Sequence, residues 1–130
     1  MPIRTFWSDQ NKIVIHVVFE DRWDVHDFER MIEDVRQMRA TVHHRFDVIL
    51  DFTTSYSGHN LNLLSSISRI DDIISNHTGI TLLVKAPAYI KYLVGVVEKI
   101  APRITADLHL CDTLDEAYEL LQRKPPVSGS

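Results

Sequence analysis

Apolar residues along this chain follow two periods, and the places where the period changes mark the elements. Ile3 to Trp7 alternates, as a short strand does. Asp9-Gln10-Asn11 supplies turn chemistry, and Ile13 to Phe19 is a β-branched run, so the two strands form a hairpin at a sheet edge. Asp24 is placed to cap a helix that runs to about Ala40. In it Val25, Phe28, Met31, Ile32, Val35 and Met38 recur at three- and four-residue steps, with charged residues between them. Trp23, just before the cap, is placed to staple the helix entry. Phe46 to Phe52 has five apolar residues in seven, too many for a loop and too few for a helix. It fits a strand buried on both faces, as in a parallel sheet covered by crossover helices.

The second half repeats the alternation. Leu63, Leu64, Ile67, Ile70, Ile73 and Ile74 predict a helix from about Asn60 to Asn76, with Gly79 as a left-handed stop. Ile80 to Val84 is a further strand. Pro87 suits the opening of a helix from about Ala88 to Ala101, ended by Pro102. Leu108 to Cys111 is a short last strand, and Thr113-Leu114-Asp115-Glu116 is a capping box for a final helix. The fold class is therefore α/β: an N-terminal hairpin, then βαβαβαβα, with a mostly parallel five-stranded sheet. Residues 1–123 form one domain and 124–130, Pro-rich and small, a flexible tail.

The Ala88–Ala101 helix carries more apolar surface than one sheet face can cover. Ile90, Leu93, Val94, Val97 and Ile100 form a stripe for the sheet, while Tyr89, Tyr92 and Val96 form a second one. That second stripe is the candidate interface, for a neighbouring helix, a homodimer or an apolar ligand. Gly95, unfavourable in a helix by about 1 kcal/mol against Ala, suggests a close approach to the backbone.

Composition narrows the function. The 130 residues are 45% hydrophobic and 25% charged, with a formal charge of −4, which argues against nucleic acid and against an anionic membrane surface. No apolar run suffices for stable membrane insertion, and the first residues lack the apolar core of a signal peptide. With a single cysteine, Cys111, no intrachain disulfide is possible, and a cytoplasmic setting is expected. No metal is expected: the seven histidines show no His-x-x-x-His spacing, and His43-His44 reads as a solvated loop. His16 and His109 read as hydrogen-bonded, half-buried strand residues. No cofactor and no catalytic residues are expected, since Gly-x-Ser-x-Gly, Gly-x-Gly-x-x-Gly and Walker patterns are missing from the sequence.

Candidate chemistry gathers after the central strand, because open α/β sheets put functional loops at the carboxyl ends of their strands. Thr53, Thr54, Ser55, Ser57, Gly58 and His59 are the candidate ligand or phospho-acceptor loop. Asp51, which ends the strand, is expected to fix that loop through backbone hydrogen bonds.

The opening hairpin, Asp47-Val48-Ile49-Leu50-Asp51-Phe52, the polar loop, Leu82-Leu83-Val84-Lys85-Ala86-Pro87 and Leu110-Cys111-Asp112-Thr113-Leu114-Asp115-Glu116-Ala117 together resemble the STAS domain of bacterial anti-sigma factor antagonists, and more closely the small STAS/SEC14-like bacterial proteins. The resemblance spans nearly the whole chain. It implies roughly sequential strand order, helices mostly on one face, and a role in binding. In the antagonists this loop carries Asp-Ser-Ser-Gly with a phosphorylated first serine. Here the matching positions are Ser55-Tyr56-Ser57-Gly58, so the acceptor position holds Tyr56, with Ser55 and Ser57 beside it. The expected function is a non-catalytic regulatory or protein-binding module that self-associates. The alternative is a carrier or sensor of a small apolar or anionic, lipid-like ligand beside loop 53–59.

Overall fold

A computed structural model of the chain describes residues 3–8, 10, 12–20, 22–55 and 78–123. The helix expected at 60–76, loop residues Ser57, Gly58 and His59, and the tail at 124–130 lie outside them. Five strands form one sheet: β1 (Ile3–Trp7), β2 (Val14–Phe19), β3 (Phe46–Asp51), β4 (Thr78–Val84) and β5 (Leu108–Cys111), in the order β1-β2-β3-β4-β5. The sheet is mixed. β1 runs antiparallel to β2, as a short hairpin connection requires, while β2–β3, β3–β4 and β4–β5 are parallel. Four helices are described: α1 (Val25–Ala40), α2 (Ala88–Ile100), α3 (Pro102–Thr105) and α4 (Leu114–Arg123).

β3 is the middle strand, and the reason is visible in its side chains. Val48 packs with Ile15, Val17, Phe19 and Leu83 in a core under α1 and α2, which supply Phe28, Met31, Ile32, Val35 and Ile90. Ile49, one residue on and therefore on the other face, packs with Ile80, Leu82, Val84, Cys111 and the α4 residues Ala117 and Leu121. Each such large side chain taken from water contributes roughly 1.5–3 kcal/mol. The described helices thus cover both faces, where the resemblance implied mostly one. The second row of apolar side chains on β3 and β4 needs its own cover, and α4 provides it.

The helix entries follow their caps. Asp24 accepts from Asp27 N at 2.9 Å while Asp27 Oδ2 accepts from Asp24 N at 3.0 Å, a reciprocal box. Trp23 and Phe28, their ring centroids 6.1 Å apart, are the staple beside it. At α4, Thr113 Oγ1 accepts from Glu116 N at 3.1 Å, but Glu116 reaches back to Asp112 N rather than to the cap's own amide.

Three expectations are corrected. Gly79 is not a left-handed helix stop but lies within β4. An added Cβ there would strike Asp47 Oδ1 and come within 2.5 Å of Arg45 Nε, so the position is small because a neighbouring strand's carboxylate crosses it. Ile100 is 65% exposed, not packed on the sheet. The chain turns at Ala101, and Ile104 of α3 takes the buried place. Pro102 does not simply end a helix; it opens the single turn of α3.

Candidate functional site

The candidate loop leaves the sheet at the carboxyl end of β3. Asp51 lies beside two elements there. Its Oδ1 accepts from Thr53 N at 2.9 Å and from Thr53 Oγ1 at 2.5 Å, so the carboxylate folds the first turn of the loop onto the strand end. Its Oδ2 lies 3.4 Å from Nε2 of His16 on β2. A carboxylate only accepts, so this pairing puts a proton on Nε2. The register sets His16 opposite Ile49 and Val18 opposite Asp51, which places His16 and Asp51 diagonally on one face of adjacent strands. Phe6 of β1 lies against the His16 ring at 5.3 Å between centroids.

The next residues are held as firmly. Thr54 Oγ1 donates to the Phe19 carbonyl at 3.3 Å, and Ser55 N donates to the Phe52 carbonyl at 3.0 Å. Ser55 Oγ accepts from the indole Nε1 of Trp23 at 3.0 Å. Thr53 and Thr54 are exposed and Ser55 half-buried.

Beneath this turn lies an aromatic cluster. Phe19 stacks on Phe52 at 4.3 Å, and Trp23 meets Phe19 edge-on at 5.1 Å. Trp23 also stacks on Tyr89 of α2 at 6.4 Å. Tyr89 is therefore packed within the chain, one turn from Tyr92, which is 72% exposed, and two turns from Val96, which is half-buried. The loop and the α2 stripe are thus one structure: Ser55 is bonded to Trp23, Trp23 is stacked on Tyr89, and the stripe continues outward through Tyr92.

The described hydroxyls at 53–55 all make bonds to strand ends or to Trp23. Among the described residues no three His, Cys, Asp or Glu side chains are grouped as metal ligands. Cys111 is buried, and burial, followed by the carboxylates of Glu116 and Asp112, pushes its thiol up, away from the reactive thiolate. Among the described residues, open grooves lie elsewhere. One of about 490 Å³ runs between β1 and α1, past Trp7, Asp34 and Met38, and one of about 380 Å³ lies between β5 and α4, past His109 and Arg123. Neither is lined by residues 53–55. No described helix is long and apolar enough to cross a membrane.

Sequence reasoning took His16 and Asp51 separately and missed their contact. The available signal was that His16 shares a face of β2 with Val14 and Val18, and Asp51 a face of neighbouring β3 with Ile49. The Trp23–Ser55 bond, 32 residues apart in sequence, had no local signal. No protein-family model matches the chain, and none of the curated proteins is detectably similar to it in sequence.

Proposed function

We propose that this chain is a non-catalytic, STAS-like binding module that associates with a protein partner or a second copy of itself through α2 and the adjoining turn at Thr53–Ser55. The observation that carries the reading is Tyr92. A large aromatic side chain stands 72% exposed on a helix that is apolar around most of its girth. Ile100, on the same helix, is 65% exposed. A contiguous apolar strip on a helix braced from below by Trp23 and Tyr89 is the kind of rigid surface that partners bury. The same bracing couples the strip to the turn, so a change at Ser55, phosphorylation included, is felt at α2 through Trp23.

Native mass spectrometry of freshly purified protein, with and without Tyr92→Glu, tests this. A dimer that Tyr92→Glu converts to monomer is the expected result for self-association. A small molecule carried through purification overturns the reading in favour of a ligand carrier.

A further inference from the structure

We propose that the partner is a second copy of this chain and that the two α2 helices pair antiparallel, crossing near Gly95, with Lys91 of each copy against Glu98 of the other. This rests on the self-associating form of the function proposed above and gives it a geometry.

Gly95 is the first ground. It sits in the middle of α2, where glycine is disfavoured, and a Cβ built on it meets none of the described residues within 4 Å. Nothing within the described chain explains a missing side chain at that point. A second helix crossing there does, because glycine allows two backbones to approach closely. Ala88, two turns before the half-buried Gly95 and itself exposed, keeps the same strip low.

The charge pattern is the second ground, and it selects both the partner and the direction. Lys91 and Glu98 are exposed and seven residues apart, about 10.5 Å along the helix, so they lie on one flank of the strip yet too far apart for the usual pairs within a helix. In an antiparallel self-pair the same flanks meet with their order reversed. Lys91 of one copy then faces Glu98 of the other, and the two-fold axis repeats the pair. In a parallel pair the two lysines lie at one level and the two glutamates at another, which gives no such match. On the opposite flank the same crossing sets Tyr92 of each copy over Val96 of the other. Lys99, beyond the crossing, can lay its stem over Ala88 of the other copy with its ammonium in water. One helix pair buries less than roughly 1,200 Å² in total, the range of weak, reversible contacts.

Sedimentation velocity of the full chain over a wide concentration range tests the geometry. A reversible monomer–dimer equilibrium is expected. Lys91→Glu and Glu98→Lys should each weaken it by about tenfold, since each turns two facing pairs from attractive to repulsive. The double exchange should restore it. Gly95→Ala should weaken the dimer while raising the melting temperature of the monomer, which separates the interface from folding. A chain that stays monomeric at every concentration overturns both the self-association and this geometry. A dimer indifferent to the single charge reversals, or not recovered by the double exchange, keeps self-association and overturns the antiparallel α2 pairing.

Discussion

His16 Nε2 lies 3.4 Å from Asp51 Oδ2, with the two residues only 8% and 9% exposed. The other oxygen of the same carboxylate holds Thr53 by its amide and its hydroxyl. Asp51 therefore links β2, the end of β3 and the loop in one side chain. Asp51→Ala leaves a buried imidazole and the Thr53 amide without their acceptor, an expected loss of about 2–3 kcal/mol in urea unfolding. Asp51→Asn keeps a carbonyl for Thr53 and should cost less. The Thr53 amide should exchange with solvent faster in Asp51→Ala than in Asp51→Asn; equal rates would show that the carboxylate does not anchor the turn.

Trp23 reads the loop from the other side. Its indole donates to Ser55 at 3.0 Å while the ring packs against Phe19, Phe28 and Tyr89. Trp23→Phe keeps most of the packing and deletes the donor, whereas Ser55→Ala deletes the acceptor. A double-mutant cycle of the two should return a coupling of about 0.5–1.5 kcal/mol. A coupling of zero within error would mean that the loop and α2 are independent, and the proposed communication between them would go with it.

The parts of this fold legible in the sequence are those decided by local physics. β2 and β3 show as apolar runs with β-branched residues, α1 as a three-four stripe, and its entry as Trp23-Asp24. The middle place of β3 was legible because a strand apolar on both sides must be covered on both sides. What was hidden was decided across the sheet. Gly79 follows Asn76-His77-Thr78, a fair copy of a helix exit, and only the Asp47 carboxylate reaching over from β3 shows why it is glycine. Ile100 keeps the stripe's spacing, yet the chain turns away before that spacing can place it on the sheet. The build of the candidate turn was half legible: Thr53 to Ser55 and Asp51 follow from the rule for strand ends, while Trp23 and His16 reach them from elements far off in sequence.

The α1 cap should give the protein an acid-sensitive component of stability. The backbone amide of Asp27, first among several contacts, holds the Asp24 carboxyl below its ordinary value of 3.8. A carboxyl lowered in the folded state stabilises it above the unfolded value and loses that contribution as the pH falls through the folded one. The unfolding midpoints of wild type and Asp24→Ala should therefore differ at neutral pH and converge toward pH ~2. Asp24→Asn, which keeps a capping oxygen without the charge, should follow the wild type at neutral pH and show less of the acid change. Parallel curves for wild type and Asp24→Ala over the whole range would remove the cap from the account.

Gly79 offers a sharper test, because the nearest of the contacts that crowd it across the sheet can be removed by itself. Asp47 Oδ1 accepts from Ile80 N at 2.8 Å and from Arg45 Nη2 at 3.2 Å, and these bonds draw the carboxylate over the Gly79 backbone. Gly79→Ala forces a methyl group against that oxygen, in a strand pair where the backbone cannot yield without losing its ladder. The expected cost is about 1–3 kcal/mol, although alanine is ordinarily easier than glycine to hold in a strand. Asp47→Ala is itself destabilising, since the Ile80 amide loses its acceptor. In that background the added methyl at position 79 meets no carboxylate, so its penalty should shrink to what Arg45 Nε at 2.5 Å and the Phe46 carbonyl at 3.0 Å impose. Chemical unfolding of the four proteins of the cycle gives the answer directly. An unchanged Gly79→Ala penalty in the Asp47→Ala background would mean that the glycine is required by the backbone itself.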